Sequence, residues 1–176
     1  EAVMVSGGDI LLAQGTRWGG DEPTQFDSVV CGCKWRIWSW PAPASEKAAG
    51  VLIAAQLRLV QDRQVLLVRG KGRLGWIRIK DRGVDLFLAS VYVAPGAAGG
   101  RGERDMRAFE RFATDLPARS SLLAGGDFNA RVGVPGEGAP VNKACVGEVE
   151  GVPECARGRM LRAVCVSRGL TLLNTQ

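Results

Sequence analysis

Apolar and polar residues alternate through much of the first half of the chain, and helical periodicity takes over only later. Short apolar stretches bounded by Gly, Pro, Asp or Asn predict strands at 9–13, 34–40, 50–60, 63–69, 73–80, 84–93 and 121–126, with a last one at 170–173. Asp81-Arg82-Gly83 joins two of them with hairpin chemistry, and Gly70-Lys71-Gly72 marks another tight break. Helices are predicted at 103–116 and 157–168. In the first, Met106, Phe109, Ala113 and Leu116 recur at the spacing of a buried face. In the second, Met160, Leu161, Val164 and Cys165 do the same, and Gly169 follows as a C-cap. Residues 96–102 read as a flexible loop, and a long stretch punctuated by Gly and Pro runs from Val132 to Cys155. No repeat or internal boundary is visible, so 1–176 reads as a single domain. Strands in runs with helices placed late predict an α/β fold of two packed sheets flanked by helices.

Composition narrows this picture. At 176 residues and 46% hydrophobic, the chain can bury a real core. A mean hydropathy of +0.02 excludes intrinsic disorder. No apolar run approaches about 20 residues, so no membrane-spanning helix is expected. No signal peptide is visible, and the first residue is Glu rather than Met, which fits a fragment, a processed chain or an incomplete gene model. Five cysteines and no histidine argue against a Cys/His zinc site, and Cys31-Gly32-Cys33 has the wrong spacing for one. Reduced, structural thiols are expected, which points inside the cell. The net charge of +5 permits nucleic-acid contact without demanding it.

Three features carry candidate chemistry. Ser121 to Arg131 is an apolar strand that runs through Gly125-Gly126 into Asp127-Phe128-Asn129. Alternate residues of extended chain share a face, so Asp127 and Asn129 can point to one spot, where a carboxylate and a carboxamide suit phosphodiester chemistry. An ordinary Asx turn at the strand end is the other reading. Lys34 to Trp40 interleaves bases with tryptophans, which could stack on nucleotides, although Trp38 and Trp40 share one strand face as core residues do. Arg104, Arg107 and Arg111 lie opposite the apolar side of the first helix, either as a phosphate-tracking stripe or as a solvated face beside Glu103, Glu110 and Asp115.

Four pieces fall in a telling order: the strand Asp9 to Ala13 leading to Gln14-Gly15-Thr16, the strand from Val84 ending in Tyr92-Val93-Ala94-Pro95, Gly126-Asp127-Phe128-Asn129, and Gly158 to Leu161 running on to Asn174-Thr175. This set resembles the endonuclease/exonuclease/phosphatase superfamily, and within it the apurinic-type endonuclease domains of non-LTR (LINE-like) retrotransposons. The resemblance covers almost the whole chain and implies a four-layered α/β sandwich of two mainly antiparallel sheets, incomplete at both ends. It implies Mg²⁺-dependent hydrolysis of DNA: Asp127 orients or deprotonates water, Asn129 holds water or phosphate, and Tyr92 braces the phosphate, the other reading of Tyr92 being an anchor of the sheet rim. By the same resemblance Arg17, Arg131 and Asn174 are expected to contact nucleic acid.

The departures are specific. Gly15 stands where the family carries its metal-binding glutamate, Tyr-x-Pro is stretched by one residue, and the late Asp and Asp-His pair would lie past Gln176. No confident metal ligand is left, so Mg²⁺ is expected only if the chain is active. The expectation is therefore a degenerate DNA endonuclease, weak or inactive, nuclear if it works. A catalytically dead domain serving as a structural or interaction subunit of a larger protein assembly is the alternative. A phosphatase of small phosphoesters would share the fold, but no residue here supports it.

Overall fold

The computed structural model describes residues 8–42, 49–96, 100–138, 141–147 and 151–173. Among them lie eight strands in two four-stranded sheets, and three helices, the mixed α/β class expected. The first sheet holds β1 (Ile10–Gln14), β2 (Thr24–Val30), β3 (Cys33–Trp40) and β4 (Val51–Gln56) in the order β1-β4-β3-β2, with every neighbour antiparallel. The second holds β5 (Gln64–Lys71), β6 (Leu74–Asp81), β7 (Val84–Tyr92) and β8 (Ser121–Asp127) in chain order. The helices are α1 (Leu57–Val60), α2 (Arg101–Thr114) and α3 (Ala156–Arg168). The chain divides into two units, one of Glu1–Tyr92 with Pro117–Gly126 and the other of Val93–Leu116 with Asp127–Gln176.

In the first unit the sheets pack face to face. Period-2 alternation puts Trp38 and Trp40 of β3 and Val51, Ile53 and Ala55 of β4 on one face, against Ile77, Ile79 and Leu88 of the other sheet. Trp38 and Trp40 are fully buried, so they are core residues and unavailable to stack on nucleotides. Trp35 and Ile37 occupy the opposite face of β3 with Ala54. Gly75 marks a close approach of the sheets, because a Cβ there would land in the Trp40 ring. Asp81-Arg82-Gly83 is the hairpin turn between β6 and β7, as its composition predicts.

Four expectations are corrected. Residues 50–60 are not one strand: β4 ends at Gln56 and the single turn α1 follows, without any side-chain N-cap to announce it. The segment 24–30 is a strand that periodicity misses, because β2 is a sheet edge whose residues are mostly exposed on both faces. Gly70 does not break its strand; β5 continues to Lys71, and a Cβ at Gly70 would overlap the Leu74 carbonyl across the ladder. Residues 170–173 form no strand: Leu170 N–H caps α3 at Cys165 and Leu172 N–H bonds Cys145 O.

In the second unit α2 buries Met106, Phe109, Phe112 and Ala113, and α3 buries Leu161, Val164 and Cys165. The two helices pack on each other. Gly169 ends α3 in the left-handed conformation (φ +63°), the expected C-cap.

Candidate functional site

The Gly-Asp-Phe-Asn element is built around a turn. A Cβ at Gly126 would overlap the Val91 carbonyl, so only glycine lets β8 run this close to β7. Asp127 closes β8, and its Oδ1 accepts the Asn129 N–H at 2.9 Å. That is an Asx turn, and it carries Asn129 to φ +44°, where asparagine is tolerated better than most residues. Asp127 and Asn129 are thus brought together by a turn rather than by sharing a strand face. Phe128 anchors the element, its ring edge-on to Phe109 with centroids 5.1 Å apart.

The partner of this turn is the dipeptide Val93-Ala94, which directly follows Tyr92. Both residues are buried. Val93 N–H donates to Asp127 O (2.8 Å), and Val93 O accepts from Asn129 Nδ2 (2.8 Å). Ala94 N–H donates to Asp105 Oδ2 (2.9 Å), and Ala94 O accepts from Arg157 Nη1 (2.9 Å). All four backbone polar groups of the dipeptide are therefore satisfied, two by the Asp-Phe-Asn turn and one each by α2 and α3. The Asn129 amide is fixed through its nitrogen, which leaves its oxygen as the variable group. The Asp127 carboxylate is exposed, and among the described residues only the Asn129 N–H bonds it.

Asp105 and Arg157 support this turn and are not legible as such in the sequence. Arg157 sits in the first turn of α3, capped by Cys155. Cys155 Sγ accepts the N–H groups of Arg131 (3.2 Å) and Gly158 (3.4 Å). Burial pushes this thiol up, but those N–H groups with that of Arg157, and the Arg157 guanidinium, leave it below the ordinary thiol range. Cys165 moves the other way: burial, with Cys145 near it, pushes it up to about 11.

The remaining expected residues fall as follows. Tyr92 ends β7, with the Arg73 guanidinium 5.1 Å from its ring centroid and its N–H bonded to Arg73 O (2.7 Å). Arg17 is exposed at φ +56° in the turn after β1. Arg131 is exposed, but its Nε donates to Pro153 O (2.9 Å) and its carbonyl accepts from Cys155 N–H (3.1 Å), so it serves the loop end. Asn174 lies outside the described residues. Gly15 has φ +64°, while Gln14 Nε2 donates to Ser90 Oγ at 3.0 Å. Among the described residues no three His, Cys, Asp or Glu side chains converge as a cation would need.

No protein-family description matches the sequence. No curated protein matches it either. Among solved structures the chain is similar to the "Endonuclease domain of TRAS1, a telomere-specific non-LTR retrotransposon", with a TM-score of 0.58 and 18% identity. The match covers 98% of this chain and 64% of that one, so this chain spans under two thirds of its length. At that identity the likeness establishes the fold.

Proposed function

We propose that this chain is a degenerate retrotransposon-type DNA endonuclease domain, weak or inactive as it stands. One observation carries the reading: in a fold like that of an endonuclease domain, an exposed Asp127 carboxylate and a clamped Asn129 carboxamide emerge together from the end of β8. Asp127 orients or deprotonates the attacking water, Asn129 holds water or a phosphate oxygen through its Oδ1, and Tyr92 braces the phosphate. Arg17, Arg131 and Asn174 are the proposed nucleic-acid contacts.

The Mg²⁺ that the fold implies finds a poor donor set. Gly15 offers no side chain where the resemblance expects a glutamate, and Mg²⁺ relies on its one or two protein carboxylates. Weak catalysis follows, because the charge that builds on the phosphate lacks a countercharge. The glycine has moreover settled at φ +64°, where a glutamate is strained by about 1–2 kcal/mol. That adapted turn favours a second reading, a non-catalytic structural or interaction subunit of a larger assembly.

Nicking of supercoiled plasmid DNA with Mg²⁺ tests the proposal. Gly15→Glu raises nicking despite its strain, and Asp127→Asn abolishes whatever activity is present. Insensitivity to both substitutions overturns the placement of the site. Stable co-purification with protein partners, without salt-dependent DNA binding, favours the subunit.

A further inference from the structure

We infer that the solvent face of α2 is a docking surface for the phosphate backbone of duplex nucleic acid. The exposed positions of α2 are Arg101, Arg104, Arg107, Glu110, Arg111 and Thr114. At about 100° per residue, Arg104, Arg107 and Arg111 fall within about 60° of one another, opposite Met106, Phe109 and Ala113.

Among the described residues these three share their lack of a carboxylate partner with the exposed Arg17, Arg82 and Arg119, but they alone fall in a row on one helix face. Arg36, Arg58, Arg63, Arg78, Arg159 and Arg162 each face a carboxylate. Among the described residues no ion pair or side-chain hydrogen bond holds Arg104, Arg107 or Arg111. The acids of α2 do not neutralise them: Asp105 is spent on the Ala94 N–H, and Glu103 is half-buried. Glu110 and the C-cap Asp115 are the two acids on the exposed side, against the four exposed arginines of α2.

The row suits a polyanion of regular spacing. Arg104 to Arg111 spans about 10 Å of helix axis, the axial rise of about three nucleotides of one strand. Guanidinium forks bind phosphate oxygens in pairs. A protein partner would need an apolar centre, and no exposed large apolar residue lies on α2. The same absence disfavours a lipid surface.

The inference rests on the nucleic-acid part of the proposed function and not on cleavage. Fluorescence polarisation with a labelled DNA duplex, titrated with salt, tests it on this chain. The triple R104E/R107E/R111E weakens binding on the order of tenfold and flattens the slope of log K against log salt by about 2–3. The triple R104K/R107K/R111K, which keeps the charge, retains the slope. An unchanged slope in the reversed triple, or equal loss in the lysine triple, overturns the inference, as does tighter capture of an acidic peptide or of anionic vesicles. A steep, arginine-dependent slope in a chain whose Gly15→Glu variant also never nicks plasmid keeps this surface and removes the proposed chemistry.

Discussion

At the scale of single residues, one turn concentrates the chemistry. Asp127→Asn keeps an oxygen that accepts the Asn129 N–H, so it removes charge while preserving the Asx turn. Any nicking activity should vanish while the unfolding free energy from urea denaturation stays within a few tenths of a kcal/mol of the parent. Asn129→Ala is the opposite case. It orphans the buried Val93 carbonyl and places alanine at φ +44°, so denaturation should show a loss of about 1–3 kcal/mol. Legibility also ends at this scale. Gly-Asp-Phe-Asn is readable because glycine and the Asx pair are local chemistry. Asp105 and Arg157 are not, since one is an ordinary helix acid, the other an ordinary helix base, and their shared target, Ala94, is distant in the chain from Arg157.

Among the elements, the buried strands and both long helices are legible because alternation or 3.6-residue periodicity reports a face. The edge strand β2 has no such face, and α1 has no capping signal, so neither leaves a trace in the pattern. Gly75 sits where two sheets meet, and Gly75→Ala drives a methyl into the Trp40 ring. Repacking should cost about 1–3 kcal/mol, read as a lower urea midpoint at unchanged slope. In the second unit the Arg162–Glu154 pair (2.8 Å) is almost wholly buried, and Arg162 also donates to Gly133 O at 2.6 Å. Among the described residues, Arg162→Met leaves the buried Glu154 carboxylate with only the long Arg159 contact at 3.9 Å, so thermal unfolding should reveal a loss of about 3 kcal/mol.

For the molecule as a whole, acidity is a lever. The hydrogen bond from Arg36 holds Asp27 below the usual carboxylate range, and that from Arg78 does the same for Asp85. A folded value below the unfolded one means that their stabilisation is complete above the unfolded pKa and fades as pH falls through the depressed value. Urea midpoints should therefore decline below about pH 4, and the Asp27→Asn/Asp85→Asn double variant should decline less. The contribution is modest, because the Arg36–Asp27 pair is exposed and the Arg78–Asp85 pair only part-buried.

The saturated Val93-Ala94 dipeptide has a kinetic corollary. With Ala94 held by α2 through its amide and by α3 through its oxygen, no small fluctuation can release it. Deuterium should enter that amide only when the helix pair itself parts, so its exchange rate becomes a clock for opening of the second unit. If Ala94 exchanges as fast as a surface loop, the clasp is not the rigid mount that these contacts describe.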